Sequence, residues 1–371
     1  MTGACSACLR RSHLIAFLSG RIQALIGFSH RRAPEVLGLG EEDLIRAVAG
    51  ARTAAARSLV ARFDADAARD RLRAAGTSAL CAHGEGYPER LSELADPPAV
   101  LYLSGRADGL RTLTDDASVA IVGSRRATPY GLEVAHTLGR GLGAAGVTVV
   151  SGLALGIDAA AHRGALAAGG PAVAVLAGGP DIPYPKLHRP LHERLRSVGA
   201  VVSEMPPGQT PLRWGFPARN RIMAALVDLV IVVEATARSG SLHTTSFAGQ
   251  LGRDVAAVPG RVTGDAARGS NELLRDGAHP ILGPDDALEL LFGVRPPAVE
   301  LATLPGAGPS TELAPTEREV LRGVESAEGG ADAVGRAVGL PPGPVRAALG
   351  RLEMLGLVAR DPFGRYERTA Q

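Results

Sequence analysis

The feature that most narrows what this chain can fold into lies between Val119 and Leu166, where one arrangement occurs twice. An apolar run, Val119–Val122, breaks at Gly123-Ser124-Arg125-Arg126 and leads into Thr128-Pro129. A second run, Val147–Val150, breaks at Ser151-Gly152 and leads into Gly156-Ile157-Asp158. Each copy reads as strand, tight break, helix start. Threonine before proline suits a helix start, because the hydroxyl caps the first turn and proline lacks only an N–H that would be unpaired there. Short apolar runs alternating with helical patterns predict a parallel sheet covered on both faces. Both breaks then fall at carboxyl ends of strands, where open α/β sheets bind ligands. Free N–H groups with arginines beside them predict an anion site, and phosphate is the expected anion.

The alternation continues along the chain. Strands are expected at 119–122, 147–150, 172–176, 200–203, 229–234 and 254–258, with a short one at 280–282. Helices are expected at 129–145, 157–168, 188–198, 219–227, 241–251, 269–276 and 284–292. This is an α/β, Rossmann-like, doubly wound and mainly parallel sheet. Upstream, Leu14, Ile15, Leu18, Ile22, Leu25 and Ile26 recur at helical spacing, so residues 1–76 form a small helical domain. Asp96-Pro97-Pro98 forces an extended chain, and the strand-like run Val100–Leu103 should lie across an edge of the sheet. The Rossmann-like domain spans 77–293, and residues 294–315 form a linker rich in proline and glycine. Thr316-Glu317-Arg318-Glu319 is a capping box opening a helix through Val324. Helical patterns at 331–338 and 344–355, then a two-strand wing around Asp361-Pro362, predict a winged-helix-like domain over 316–371.

Charge is informative once divided. Residues 1–80 carry twelve arginines against seven acidic residues, net +5; residues 81–312 carry twenty basic against 23 acidic residues, net −3; residues 313–371 carry eight of each. A nucleic-acid surface must therefore be a local patch. The positive N-terminal helices permit a nucleic-acid contact but read more readily as solvated faces, and the neutral winged-helix-like domain is at least as compatible with protein contact or regulation as with DNA. No apolar stretch of about 18 residues is present, so no membrane contact and a soluble, cytoplasmic protein are expected. Cys5 and Cys8 form a C-x-x-C pair, but no second Cys or His pair follows at zinc-finger spacing. The pair reads as surface thiols without a role, and no metal site is expected.

Gly123-Ser124-Arg125-Arg126 is not the G-x-G-x-x-G dinucleotide fingerprint and lacks its acidic partner, which argues against a nicotinamide enzyme; no cofactor is expected. Either its N–H groups and guanidinium forks hold phosphate, or it is a turn with two solvated arginines. Arg213-Trp214-Gly215-Phe216-Pro217-Ala218-Arg219-Asn220-Arg221 puts the single Trp, a Phe and three arginines into a stretch with no acid from Met205 to Val227. Single strands are held by such aromatic stacking and charge neutralisation, although the two aromatics could instead pack inside. Ser239-Gly240-Ser241 repeats the small-residue turn. The turns at 123, 151, 204–208 and 239 are expected to line one rim suited to an extended polyphosphate. His188 and His192 lack the acid of a zinc protease motif, Asp158 reads as a helix N-cap with His162 one turn on, and Glu204 and Glu234 end neighbouring strands.

Taken together these residues resemble the DNA-processing protein A family, also called Smf, over roughly 77–292. The matching stretches include Tyr87-Pro88, Asp96-Pro97-Pro98, Ile121 through Gly131, Val150 through His162, Tyr184-Pro185, Phe216 through Arg221, Ser239-Gly240-Ser241-Leu242 and Val258-Pro259-Gly260. The chain departs at His243-Thr244-Thr245, where the family pattern carries an aliphatic residue and then Thr-Ala. The resemblance implies a non-enzymatic protein that binds and protects incoming single-stranded DNA during natural transformation and loads the recombinase RecA. It implies a homodimer through the Rossmann-like domain and a SAM-like N-terminal domain. It also implies that Arg125 contacts phosphate, that Phe216 stacks a base, and that Arg213, Arg219 and Arg221 line the channel. The rival is an enzyme similar to the LOG phosphoribohydrolases, but the turn Ala177-Gly178-Gly179-Pro180-Asp181 lacks the Gly-Thr and glutamate that should follow. A third reading is a nucleotide sensor.

Overall fold

The valine-rich runs assemble into one nine-stranded sheet in the computed structural model, which describes residues 3–29, 36–105, 117–293, 315–326, 330–354, 357–360 and 366–368. The strands are β1 (Thr77–Leu80), β2 (Leu101–Gly105), β3 (Ser118–Val122), β4 (Thr148–Ser151), β5 (Ala172–Val175), β6 (Ala200–Ser203), β7 (Leu229–Val232), β8 (Asp254–Ala257) and β9 (His279–Pro280). Their order is β1-β2-β6-β5-β4-β3-β7-β8-β9. Neighbours from β3 to β9 are parallel, with Ile121 beside Ile231, while β2 runs antiparallel to β6; the run expected at the edge is thus one strand in, because β1 pairs with its outer side. The chain winds outward from β3 through β4, β5 and β6, then returns to the other side of β3 with β7, β8 and β9. The β3/β7 boundary is therefore the topological switch point, and the crevice above it is the favoured ligand position.

Helices α1 (Ser6–Ser29), α2 (Thr53–Ala61) and α3 (Ala65–Ala74) precede the sheet. Its crossovers are α4 (Pro129–Ala144), α5 (Ile157–Ala167), α6 (Arg189–Val198), α7 (Gly215–Ala225), α8 (Leu242–Gln250) and α9 (Arg268–Arg275), and α10 (Pro284–Phe292) follows the last strand. One face of the sheet buries Val119, Ile121, Val149 and Ile231 against α4, α5 and α6. The other buries Ala120, Val122, Val150 and Val230 against α7 and α8, so strict alternation in β3 feeds two cores. The N-terminal helices do not close a core of their own. Leu14, Leu18, Ile22 and Leu44 pack with Met205, Trp214 and Ala218, and the Trp214 indole N–H donates to the Ser19 carbonyl at 3.0 Å.

Residues Met1–Ala298 form one compact unit and Val299–Gln371 another. The second unit contains α11 (Pro315–Ser326), α12 (Ala331–Val338), α13 (Pro342–Met354) and an antiparallel pair, β10 (Val358–Arg360) with β11 (Tyr366–Arg368). Val320, Val334, Val345, Leu349 and Leu352 form its core. Three helices and a small hairpin match the expected winged-helix arrangement; the linker up to residue 314 and the Asp361-Pro362 turn lie outside the described residues, and Pro315, expected as the linker's last residue, opens α11. Among the described residues no helix is long and apolar enough to cross a membrane.

Candidate nucleic-acid interface

A pocket of about 350 Å³ opens at the β3/β7 switch point. Gly123, Ser124 and Arg125 follow β3 on one side, Ser239, Gly240 and Ser241 lead into α8 on the other with Thr244 in its first turn, and Phe216, Arg219 and Asn220 close it from α7. Thr128 caps α4 as expected, its Oγ1 accepting from the Gly131 N–H at 3.2 Å. Glycine is required beside this turn. Gly156 has φ +78°, and a Cβ there would lie 2.2 Å from the Ser124 carbonyl oxygen; a Cβ on Gly123 would lie 2.6 Å from Ile157.

The expected cluster of free N–H groups is largely occupied from within. Glu234, at the end of β7, accepts from the Thr128 N–H at 2.9 Å and the Thr128 hydroxyl at 2.5 Å, and the Ser124 N–H donates to the Glu234 carbonyl. Asp158 accepts from the Gly152 and Ala154 N–H groups at 3.1 and 3.3 Å. Asp158 is thus not the N-cap of α5, a position held by Gly156; it straps down the loop before that helix. Neither glutamate pairs with the other, because Glu204 instead binds Arg221. His162, one turn on from Asp158, is fully buried, and burial pushes it down to about 3, so it stays neutral. His188 and His192 bond separately to the Leu153 and Pro180 carbonyls. The Gly178-Gly179 turn packs on 206–211, with Asp181 accepting from the Gly208 N–H at 2.9 Å. The turns at 151 and 204–208 consequently do not join the rim: Ser151 is fully buried with its hydroxyl on the Ile121 carbonyl, and Gly152 is buried beneath the pocket.

The three arginines of the aromatic stretch part company. Helix α7 begins at Gly215, four residues earlier than the pattern had suggested, so successive residues turn by about 100° and do not line up along a loop. Arg213, before the helix, is exposed but is not among the pocket-lining residues. Arg219 lines the floor while fully committed: Nη1 donates to the Gly152 and Val175 carbonyls, both at 2.6 Å, Nε donates to Asn220 Oδ1, and Nη2 lies 3.6 Å from Asp158. Burial pushes the Arg219 guanidinium down and the Asp158 carboxyl up, and each charge partly offsets the other's shift. Arg221 leaves the pocket altogether. It is 1% exposed, with Nε on Asp96 at 2.7 Å and Nη2 on Glu204 at 2.8 Å. Burial opposes its charge, but Glu204 and Asp96 outweigh that and hold it protonated. Asn220 ties α7 to the serine turn through Nδ2 to the Gly240 carbonyl at 3.2 Å.

What remains at the mouth is a compact polar and aromatic set. The exposed Arg125 guanidinium sits over the Phe216 ring at 4.8 Å, and Tyr184, half exposed, places its ring 5.5 Å from Phe216. Arg126 is exposed beside them, its N–H donating to Ser124 Oγ. Trp214, the other aromatic, is structural. Sequence reasoning missed Tyr184, His243 and Thr244 as neighbours of the site. Thr244 is fully buried at the pocket wall, and its Oγ1 has no partner among the described residues. The Tyr184-Pro185 motif was the available signal for the first.

Residues 78–292 match the sequence profile of DNA recombination-mediator protein A. The chain belongs to the DNA-processing protein A family. Residues 305–362 match the DprA winged helix domain. A putative DNA processing protein DprA of Mycobacterium tuberculosis is 44% identical over 290 residues, covering 76% of this chain and 72% of the relative. Protein Smf of a Synechocystis species is 36% identical over 309 residues, covering 76% and 78%. Among solved structures, the DprA of Streptococcus pneumoniae superposes with TM-score 0.60 at 32% identity, covering 77% of this chain and 96% of the other. A Helicobacter pylori DNA processing protein A, described for its single-stranded DNA binding mode, gives 0.53 at 32% identity, covering 58% and 96%.

Proposed function

We propose that this DNA-processing protein holds single-stranded DNA at the switch-point pocket and performs no chemistry on it. One observation carries the reading: Arg125 lies over Phe216 at the pocket mouth, presenting a cation for phosphate and an aromatic face for a base side by side. The single-strand binding of the Helicobacter relative supports it. Asp158, the carboxylate in the pocket lining, is engaged by two N–H groups and Arg219, which leaves it poorly placed to act as a base. Ser124, Arg126, Ser239, Gly240 and Ser241 would supply secondary phosphate contacts. Arg219, Asn220 and Arg221 act by holding α7 in place. RecA loading and a homodimer through the Rossmann-like domain are the further roles that family membership suggests. RecA filament assembly on strands coated with single-strand-binding protein, and sedimentation of the free protein, test them.

The primary test is fluorescence anisotropy with a short labelled oligodeoxynucleotide at two salt concentrations. Affinity should fall with salt, and Arg125→Ala should flatten the dependence by roughly 0.7 in log–log slope for each phosphate that is no longer neutralised. Phe216→Ala should cost about 1–3 kcal/mol with the slope unchanged. Normal binding by the double variant would sink the proposal. The pocket's volume of about 350 Å³ also suits a mononucleotide, so stronger competition by nucleoside monophosphates than by oligonucleotide would favour a sensor or enzyme.

A further inference from the structure

Far from the pocket in sequence, the fold gives Cys5 and Cys8 the partners that their spacing lacked. Cys5 immediately precedes α1 and Cys8 lies in its first turn, while Cys81 and His83 follow β1. One ligand atom from each of the four lies within 4.8 Å of all the others. His83 Nδ1 is 3.3 Å from Cys8 Sγ and 3.8 Å from Cys5 Sγ. With metal–sulfur bonds of ~2.3 Å and metal–nitrogen bonds of ~2.0 Å, a tetrahedral site has S···N edges of about 3.5 Å, which these distances bracket. All three cysteines are free thiols, so no disulfide competes for the sulfurs.

The surroundings are built for the cluster. Cys81 is buried, and the Cys5 backbone N–H donates to its sulfur at 3.3 Å, the kind of outer contact that supports a thiolate ligand. The α1 N-terminus favours negative charge on Cys5, which immediately precedes the helix. The 81–84 turn is closed by the Gly84 N–H on the Cys81 carbonyl at 2.9 Å, and it presses so tightly on the N-terminal segment that a Cβ at Gly84 would lie 2.1 Å from the Gly3 carbonyl oxygen. Three thiolates and an imidazole around a borderline-soft divalent cation make a closed structural set.

From this convergence we infer that Cys5, Cys8, Cys81 and His83 form a structural zinc site. It clips the start of α1 to the end of β1, across more than seventy intervening residues, and so joins the N-terminal helices to the sheet edge. Helix α1 is also the element on which Trp214 rests, through Ser19 and through Gln23 Oε1, which accepts from the Trp214 N–H at 3.1 Å. The clip thereby steadies the base of α7, two residues from Phe216.

The test uses the full chain, purified under reducing conditions from zinc-supplemented cells. Elemental analysis should find about one zinc per chain. Cys5→Ser/Cys81→Ser should lower it to background, and His83→Cys, which keeps four ligands, should retain it. Because the serine variant could misfold, wild-type protein is also stripped with chelator and reconstituted with Co²⁺. It should develop the visible d–d and thiolate charge-transfer bands of a tetrahedral sulfur-rich site, and Zn²⁺ but not Mg²⁺ should return the melting temperature to its starting value. Protein that holds no zinc, gives no cobalt spectrum and melts unchanged would overturn the inference. So would iron in place of zinc, or a Cys5–Cys8 disulfide in the freshly purified chain.

Discussion

Replacing Arg221 with methionine separates the two roles that its motif suggested. Methionine retains much of the aliphatic volume, so the loss is mainly electrostatic. It removes one charge-assisted bond to Asp96 at 2.7 Å, two to Glu204 at 3.1 and 2.8 Å, and one to the Ala218 carbonyl at 2.9 Å, all at a side chain 1% exposed. Two carboxylates are left facing each other in a dry site, and breaking a buried pair from one side costs about 3–5 kcal/mol. The single Trp214, buried in the core shared by α1 and α7, reports the transition in urea. The melting temperature should fall by on the order of 10 °C. The deficit should shrink on acidification from neutral pH. Burial already raises the Asp96 carboxyl and Arg221 opposes that rise, so without Arg221 its folded-state pKa climbs further, and the variant's folded state takes up that proton and is stabilised relative to wild type as pH falls. Below the melting range, oligonucleotide affinity should stay within about twofold of wild type, which is under 0.5 kcal/mol. A variant of normal stability that lost tenfold in affinity would refute the burial argument and return Arg221 to the channel.

Other perturbations test other joints. Trp214→Ala should cost about 3–5 kcal/mol and loosen the N-terminal helices, seen as faster amide exchange in α1. Glu234→Gln weakens the strap on Thr128 and should destabilise by about 1–3 kcal/mol in urea titration, with a matching loss of order in the Gly-Ser-Arg turn. His162 has a folded pKa depressed by burial to about 3, so stability is full above its unfolded pKa and is lost as pH falls below ~6.5. His162→Gln should therefore flatten the fall of unfolding free energy between neutral and acid pH, and an unchanged slope would show that other groups drive it. Deleting residues 313–371 should leave single-strand affinity within tenfold, about 1.4 kcal/mol, because that segment carries as many acidic as basic residues.

The sheet, its helices and the position of the pocket were legible in the chain because the signals are local. A strand buried on both faces must be apolar throughout, as Val119–Val122 is, and a break after it must sit at a strand end. Thr128-Pro129 marks its helix start by chemistry contained in two residues. The fate of each polar side chain was not local. Arg219 and Arg221 stand two positions apart in one motif, yet only Arg219 reaches the pocket, and both are internal. Asp96, the carboxylate that decides the matter for Arg221, comes from 125 residues away. Cys5 and Cys8 looked solitary because Cys81 and His83 reach them only once β1 has docked beside α1. Periodicity, which depends on neighbours in the chain, determined the architecture and the strand ends at which the pocket opens. The tertiary structure alone decided which charges face solvent and which are matched inside, because an interior charge is tolerable only beside a partner, and that partner can be supplied from any point along the chain.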